Sequence, residues 1–144
     1  MADSFPLPSF HFVVEWGGTN IGFQEVSGLS MEVDVIEYRH GASSEFSTVK
    51  MPGQKKYGNV TLKRGILRGD NEFFAWWKEK KMNAPERRDM VIKLLDENHE
   101  PVISWQIINA FPVKVTYSDL KADAQEVAIE TLEVACEGIS VINE

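Results

Sequence analysis

The chain has 144 residues, 43% of them hydrophobic and 26% charged, enough for one domain (residues 1–144) with a real core and too few for two. Its formal net charge of −7 argues against a general nucleic-acid binder. No apolar run approaches the ~20 residues of a membrane helix. The N-terminus MADSFPLPSF lacks the basic and apolar regions of a signal peptide, and the lone Cys136 leaves no internal disulfide, so assembly in a bacterial-type reducing cytoplasm is the expectation.

Phe10 to Trp16, FHFVVEW, is aromatic and β-branched and predicts a strand. Gly17-Gly18-Thr19-Asn20 is turn chemistry, and Ile21 to Val26 resumes a strand, so the first unit reads as a hairpin. After a turn at Ser27–Ser30, Met31 to Tyr38 alternates, with Met31, Val33 and Val35 opposite Glu32 and Asp34. From Arg39 to Gly58 the pattern fails, in a stretch with three glycines and a proline. It predicts a long extended loop, and such loops are usually functional or mobile.

Asn59 to Leu67 predicts a strand with a bulge or kink at Gly65. Asp70 or Asn71 can cap the short helix that follows. On that helix Phe73, Trp76 and Trp77 lie at i, i+3 and i+4 with Phe74 beside them, a face expected to pack into the core, and Lys78, Lys80 and Lys81 gather at its C-terminal end. Three strands follow: Asp89–Leu95, Val102–Asn109, and Val113–Tyr117 after a break at Ala110-Phe111-Pro112. The last segment, from Gln125 to Asn143, has helical composition but strand periodicity, and reads as a strand with a bulge near Glu130-Thr131. Many antiparallel strands with one short helix make a mainly β fold, a barrel or two packed sheets covered by the helix.

Charge is segregated. Met1 to Tyr38 carries six acids and no Lys or Arg, Arg39 to Arg68 carries seven bases against Glu45 alone, and the tail from Lys121 is acidic again. Separate acidic and basic segments can complement each other or a second copy.

Catalytic chemistry finds little support. His11, His40 and His99 show no paired-ligand spacing, and no CxxC exists, so no metal site is expected. VSGLS lacks the nucleophile-elbow frame, and GQKKYG (Gly53–Gly58) leads into a strand without the lysine and hydroxyl of a phosphate loop. Cys136 falls in an apolar row and reads as a buried hydrophobe. The chain is expected to be no enzyme and to need no cofactor.

The runs FPLPSFHFVVEWGG, GFQEVSGLSMEVDVIEYRHG, KMPGQKKYGNVTLKRGI and WQIINAFPVKVTYSDLKADAQEVAIETLEVACEGI, in that order, resemble the tail tube proteins of contractile phages and, more closely, the inner tube proteins of phage-like contractile injection systems. The resemblance spans nearly the whole chain. It implies the fold of the type VI secretion tube protein. It also implies a structural role, in which six-membered rings stack into a hollow tube inside a contractile sheath. Implied partners are further copies of the chain, the sheath, baseplate or initiator and terminator proteins, and luminal effector cargo or phage DNA. The implied location is a virion or an extracellular or envelope-directed particle. Rival readings are a soluble type VI-like ring that carries effectors, and a monomeric β-domain that binds a partner.

A ring whose neighbours continue one sheet has no free edges, and head-to-tail stacking needs two complementary surfaces. Arg39, Lys50, Met51, Pro52, Lys55, Lys56 and Tyr57 are the expected interface residues, with the lysines reaching carboxylates on an adjacent subunit or ring. Glu32, Asp34, Ser104 and Gln106, polar positions in alternating strands, are expected to face the lumen.

Overall fold

The structure, a computed structural model, describes residues 6–9, 11–17, 22–39, 41, 49–78, 87–123 and 125–143. Among these described residues nine strands and one helix follow in chain order: β1 (Phe12–Glu15), β2 (Glu25–Ser27), β3 (Met31–Tyr38), β4 (Val49–Tyr57), β5 (Val60–Gly65), α1 (Glu72–Lys78), β6 (Arg88–Leu95), β7 (Pro101–Tyr117), β8 (Ile129–Ala135) and β9 (Gly138–Asn143). Every pairing is antiparallel. The main path runs β1-β6-β7-β8-β5-β2, β9 adds to β7, and β3 and β4 form a separate two-stranded sheet. The body is therefore two packed sheets, and among the described residues it does not close into a barrel.

The strand that joins the two sheets is β7. Its first half pairs with β6 and β9, and its second half, from Phe111, pairs with β8. The sequence suggested a break at Ala110–Pro112, but one strand of 17 residues runs through. The cause is a stitched corner. Asn109 takes a left-handed φ of 52°, its amide donates to Asp89 Oδ1 at 2.9 Å, and its side-chain amide donates to Glu137 Oε2 at 2.9 Å. Arg87 Nη1 donates to the other oxygen of Glu137 at 2.8 Å, and a register shift between Pro112 and Lys114 accommodates the proline, which lacks an N–H.

Four further expectations are corrected. β1 and β2 do not form a hairpin with each other: β1 pairs with β6 and β2 with β5. The β5–β8 register runs unbroken, so Gly65 marks the end of β5 rather than a bulge, and no bulge occurs at Glu130-Thr131. The terminal segment is two strands, β8 and β9, with Cys136 and Glu137 between them.

The core fills the space between the sheets and under α1, with Trp16, Leu62, Phe73, Trp76, Met90 and Ile107 among its fully buried side chains. α1 begins where Asp70 Oδ1 accepts from the Glu72 amide at 3.2 Å. A seven-residue helix buries one stripe. Phe73 and Trp76 are that stripe, Trp77 is half-buried, and Phe74, one position round the helix, is 43% exposed. The expected four-aromatic core is thus two buried rings, one partial and one outside. Phe73 meets Trp16 edge to face at 5.1 Å and stacks on Phe23 at 6.1 Å.

The charged centre of this core is Arg64. Its side chain is 1% exposed, with Nε 2.5 Å from Glu130 Oε1, Nη2 2.9 Å from Asp70 Oδ1 and Cζ 4.1 Å from the Phe73 ring centroid. Burying this cation is tolerable because two carboxylates and an aromatic face replace its water. The same bonds tie β5 and β8 to the start of α1. No helix among the described residues is long and apolar enough to cross a membrane.

Candidate assembly surface

The irregular composition of residues 39–58 conceals a strand. β4 occupies its second half and pairs with β3 from Met31↔Tyr57 to Tyr38↔Val49, with one register shift between Val33 and Val35. The expected loop is thus a hairpin arm on this side, and His40 and residues 42–48 lie outside the described residues. Pro52 and Gly53 are compatible with a strand because, among the described residues, β4 pairs with β3 alone and the shift falls beside them.

Two glycines hold the base of the arm. Gly28 has φ +85°, and a Cβ there would stand 2.0 Å from the Asn59 carbonyl oxygen. Gly58 donates its amide to the Ser30 carbonyl at 3.0 Å, and a Cβ on it would meet Ser30 Oγ at 2.2 Å. The chain crosses itself here at a distance only glycine permits. Beside the base, Met31, Glu32, Val33, Lys55, Tyr57 and Ile139 line a cavity of about 390 Å³.

The expected interface residues all fall on this arm or at its end. Arg39 is exposed just past β3. Lys50 lies opposite Glu37, Met51 opposite Ile36, Pro52 opposite Val35, Lys55 opposite Val33, Lys56 opposite Glu32, and Tyr57 opposite Met31. Lys56 Nζ is also 3.2 Å from Asp34 Oδ2. The acidic and basic segments seen in the sequence therefore complement each other first within one chain. These pairs are largely exposed, so each is worth ~0–1 kcal/mol.

At the sequence level Met51 was expected at the interface, whereas the arm's other exposed apolar side chains, Val35, Ile36, Tyr38 and Val49, were missed. Val35, Ile36, Tyr38, Val49 and Met51 are all exposed, and the cross-strand pairs Ile36–Met51 and Tyr38–Val49 alternate with Glu37–Lys50. The available signal was the doublet Val35-Ile36, which puts apolar side chains on both faces of one strand.

The four positions expected at a lumen fall on two separate elements. Glu32 and Asp34 belong to the arm, where Asp34 binds Lys56. Ser104 and Gln106 sit on β7, opposite Lys93 and Val91 of β6 and Ile142 and Ser140 of β9. Gln106 is exposed and its neighbour Ile107 buried, while Ser104 and Trp105 are both half-buried.

Cys136 is half-buried beside the core rather than in a strand row. Its Sγ lies 3.8 Å from the Gly58 carbonyl, and burial pushes its thiol above the usual cysteine value, which keeps it protonated. Among the described residues no three His, Cys, Asp or Glu side chains are grouped to hold a metal ion.

Residues 8–140 match the family described as T4-like virus tail tube protein gp19. The chain is similar to a chain of an extracellular contractile injection system, the PVC sheath–tube complex in its extended state: identity is 31%, coverage 98% of this chain and 94% of that one, and TM-score 0.89. It is equally similar to a chain of the anti-feeding prophage cap, the AFP tube terminating cap, with 31% identity, coverage of 100% and 95%, and TM-score 0.90. Hcp1 from Flavobacterium johnsoniae shares the fold at TM-score 0.58, with 16% identity and coverage of 94% and 97%. No curated protein matches the chain. With its family matched over nearly its whole length and its fold shared throughout, the chain belongs to the tail tube family and is a structural, non-catalytic subunit of a contractile injection system or phage tail.

Proposed function

We propose that six copies of this chain form a ring, that rings stack into the inner tube, and that the β3–β4 arm docks on an adjacent subunit or ring. The observation that carries the docking role is the arm itself. It pairs with no other strand among the described residues, yet it exposes Val35, Ile36, Val49 and Met51. A lone two-stranded hairpin is marginal in water, so its apolar surface needs a partner. Lys55, exposed and opposite the apolar Val33, is the arm lysine best placed to reach a carboxylate of that neighbour.

Relatives come from sheath–tube, tube-terminating and baseplate assemblies, which supports a sheath, a terminator and a baseplate as partners here and an injection particle as the location. Ser104 and Gln106 are the proposed channel-facing positions, and Glu32 and Asp34 carry the same proposal on the arm. A polar, acidic wall would let effector cargo slide and would disfavour nucleic acid. Electron microscopy of the purified protein tests the reading: annular or cylindrical objects are expected, and a strictly monomeric species even when seeded by a baseplate would overturn it. Cargo crosslinked from single cysteines at Ser104 or Gln106 supports a luminal position. Labelling of those cysteines only from outside intact tubes contradicts it.

A further inference from the structure

His11 and His99 stand 88 positions apart, and the fold brings them into contact. His11 immediately precedes β1, and His99 lies in the turn between β6 and β7. His99 Nδ1 is 2.9 Å from His11 Nε2, with the rings edge to face and centroids 4.5 Å apart. The turn presents His99 from a left-handed backbone, φ 61°, built around Asp96. The Asp96 carbonyl accepts from the His99 amide at 3.1 Å, and its carboxylate accepts from the amides of Asn98 and Glu100 at 2.8 and 3.0 Å. On the facing side, the His11 carbonyl accepts from the Leu95 amide at 2.8 Å. The two imidazoles line a cavity of about 490 Å³ together with Pro6, Leu7 and Pro8.

A hydrogen bond between two ring nitrogens needs one donor and one acceptor. Two neutral imidazoles supply that, and so does a neutral one with a cationic one. Two cations do not, because both facing nitrogens then carry hydrogen and two like charges stand in contact. Asp96 and Glu97 face the same cavity, and Glu100 follows in the turn; the next charges along β1 and β6 are the Glu15–Lys93 ion pair, 3.0 Å apart. These carboxylates place no acceptor between the facing nitrogens, and that of Asp96 already serves two backbone amides.

We infer that His11 and His99 form a proton-operated latch, closed while at most one is cationic and open when both are, which loosens the junction between the start of β1 and the β6–β7 turn that the Leu95–His11 backbone bond also spans. Opening is driven by acidification, which adds the second proton.

The test uses the full-length chain, with imidazole nitrogen NMR and amide exchange at Leu95 followed from about pH 8 to about pH 5. The two histidines should titrate in coupled steps, the second proton binding about tenfold more weakly than in either His11→Gln or His99→Asn. Asparagine tolerates the left-handed backbone at 99, so that variant removes the ring and keeps the turn. Exchange at Leu95, corrected for its intrinsic pH dependence, should rise on acidification in the parent chain and not in His99→Asn. Independent single-step titrations matching those of the variants, or Leu95 protection that is the same at both ends of the range, would overturn the latch.

Discussion

The sheet body and the β3–β4 arm are built from similar residue types and use them in opposite ways. In β5 and β8 burial alternates strictly, and even the charged members of the inner row, Arg64 and Glu130, are 1% and 3% exposed. In the arm, Val35 is 59% and Val49 60% exposed. β5 and β8 turn their apolar residues into the core of one subunit, whereas the arm holds its own outward, where the proposed docking would cover them. Folding and assembly are thereby separated: damage to the body should unfold the chain, and damage to the arm should leave a folded chain that fails to build.

The sharpest break of that contrast lies in the body. Phe73→Ala removes a fully buried ring from contact with Trp16, Phe23 and Arg64 and should cost about 3–5 kcal/mol in urea unfolding. Phe74→Ser, one residue along the same helix, should stay within about 0.5 kcal/mol because that ring is already partly in water. Glu130→Ala leaves Arg64 buried with Asp70 as its one carboxylate partner and should cost about 3–5 kcal/mol. A loss below about 1 kcal/mol would mean that water or rearrangement reaches Arg64, as at an exposed pair.

For the arm the expected signs reverse. Ile36→Lys with Met51→Lys should leave the melting temperature of the subunit within about 2 °C of the parent, since both side chains already touch solvent. Tube formation, scored by sedimentation and microscopy, should be abolished. Normal tubes from this double variant would remove the arm from the interface. Gly28→Ala falls between the two classes. It forces a Cβ against the Asn59 carbonyl at the point where arm meets body, and should cost about 1–3 kcal/mol.

Much of the body was legible in the sequence because burial writes period two into a strand. Val60 and Leu62, and Leu132 and Val134, announced their strands and their inner face. The alternation misled where a charge occupied an inner position. Glu130 looked like a phase error until its partner was seen on β5, 66 residues away, and a one-strand pattern cannot display a cross-strand pair. β7 looked broken at Pro112 because the bonds that carry it round the corner come from Arg87, Asp89 and Glu137 on other elements. β4 was invisible for a different reason. A strand with both faces largely exposed has little burial within its own subunit to record. The proposed site was located by composition and by resemblance, but its apolar character and its hairpin form required the structure.

The smallest expected effect separates two adjacent lysines. Lys56 lies opposite Glu32 and 3.2 Å from Asp34, so Lys56→Glu places three carboxylates together on one face of the arm. That penalty is paid inside the subunit, is at most about 1 kcal/mol for such exposed charges, and shrinks with salt. It should appear as increased amide exchange in β3 and β4 of the unassembled chain. Lys55 lies opposite Val33, so Lys55→Glu should leave that exchange pattern unchanged and act only in the tube, raising the concentration needed for assembly at low salt and less so at high salt. Each contact is weak, but the ring and the stack repeat it in every subunit, and repetition is what can make a sub-kilocalorie pair visible in a polymer. Equal assembly by the parent and Lys55→Glu at low salt would assign the docking of the arm to its apolar side chains alone.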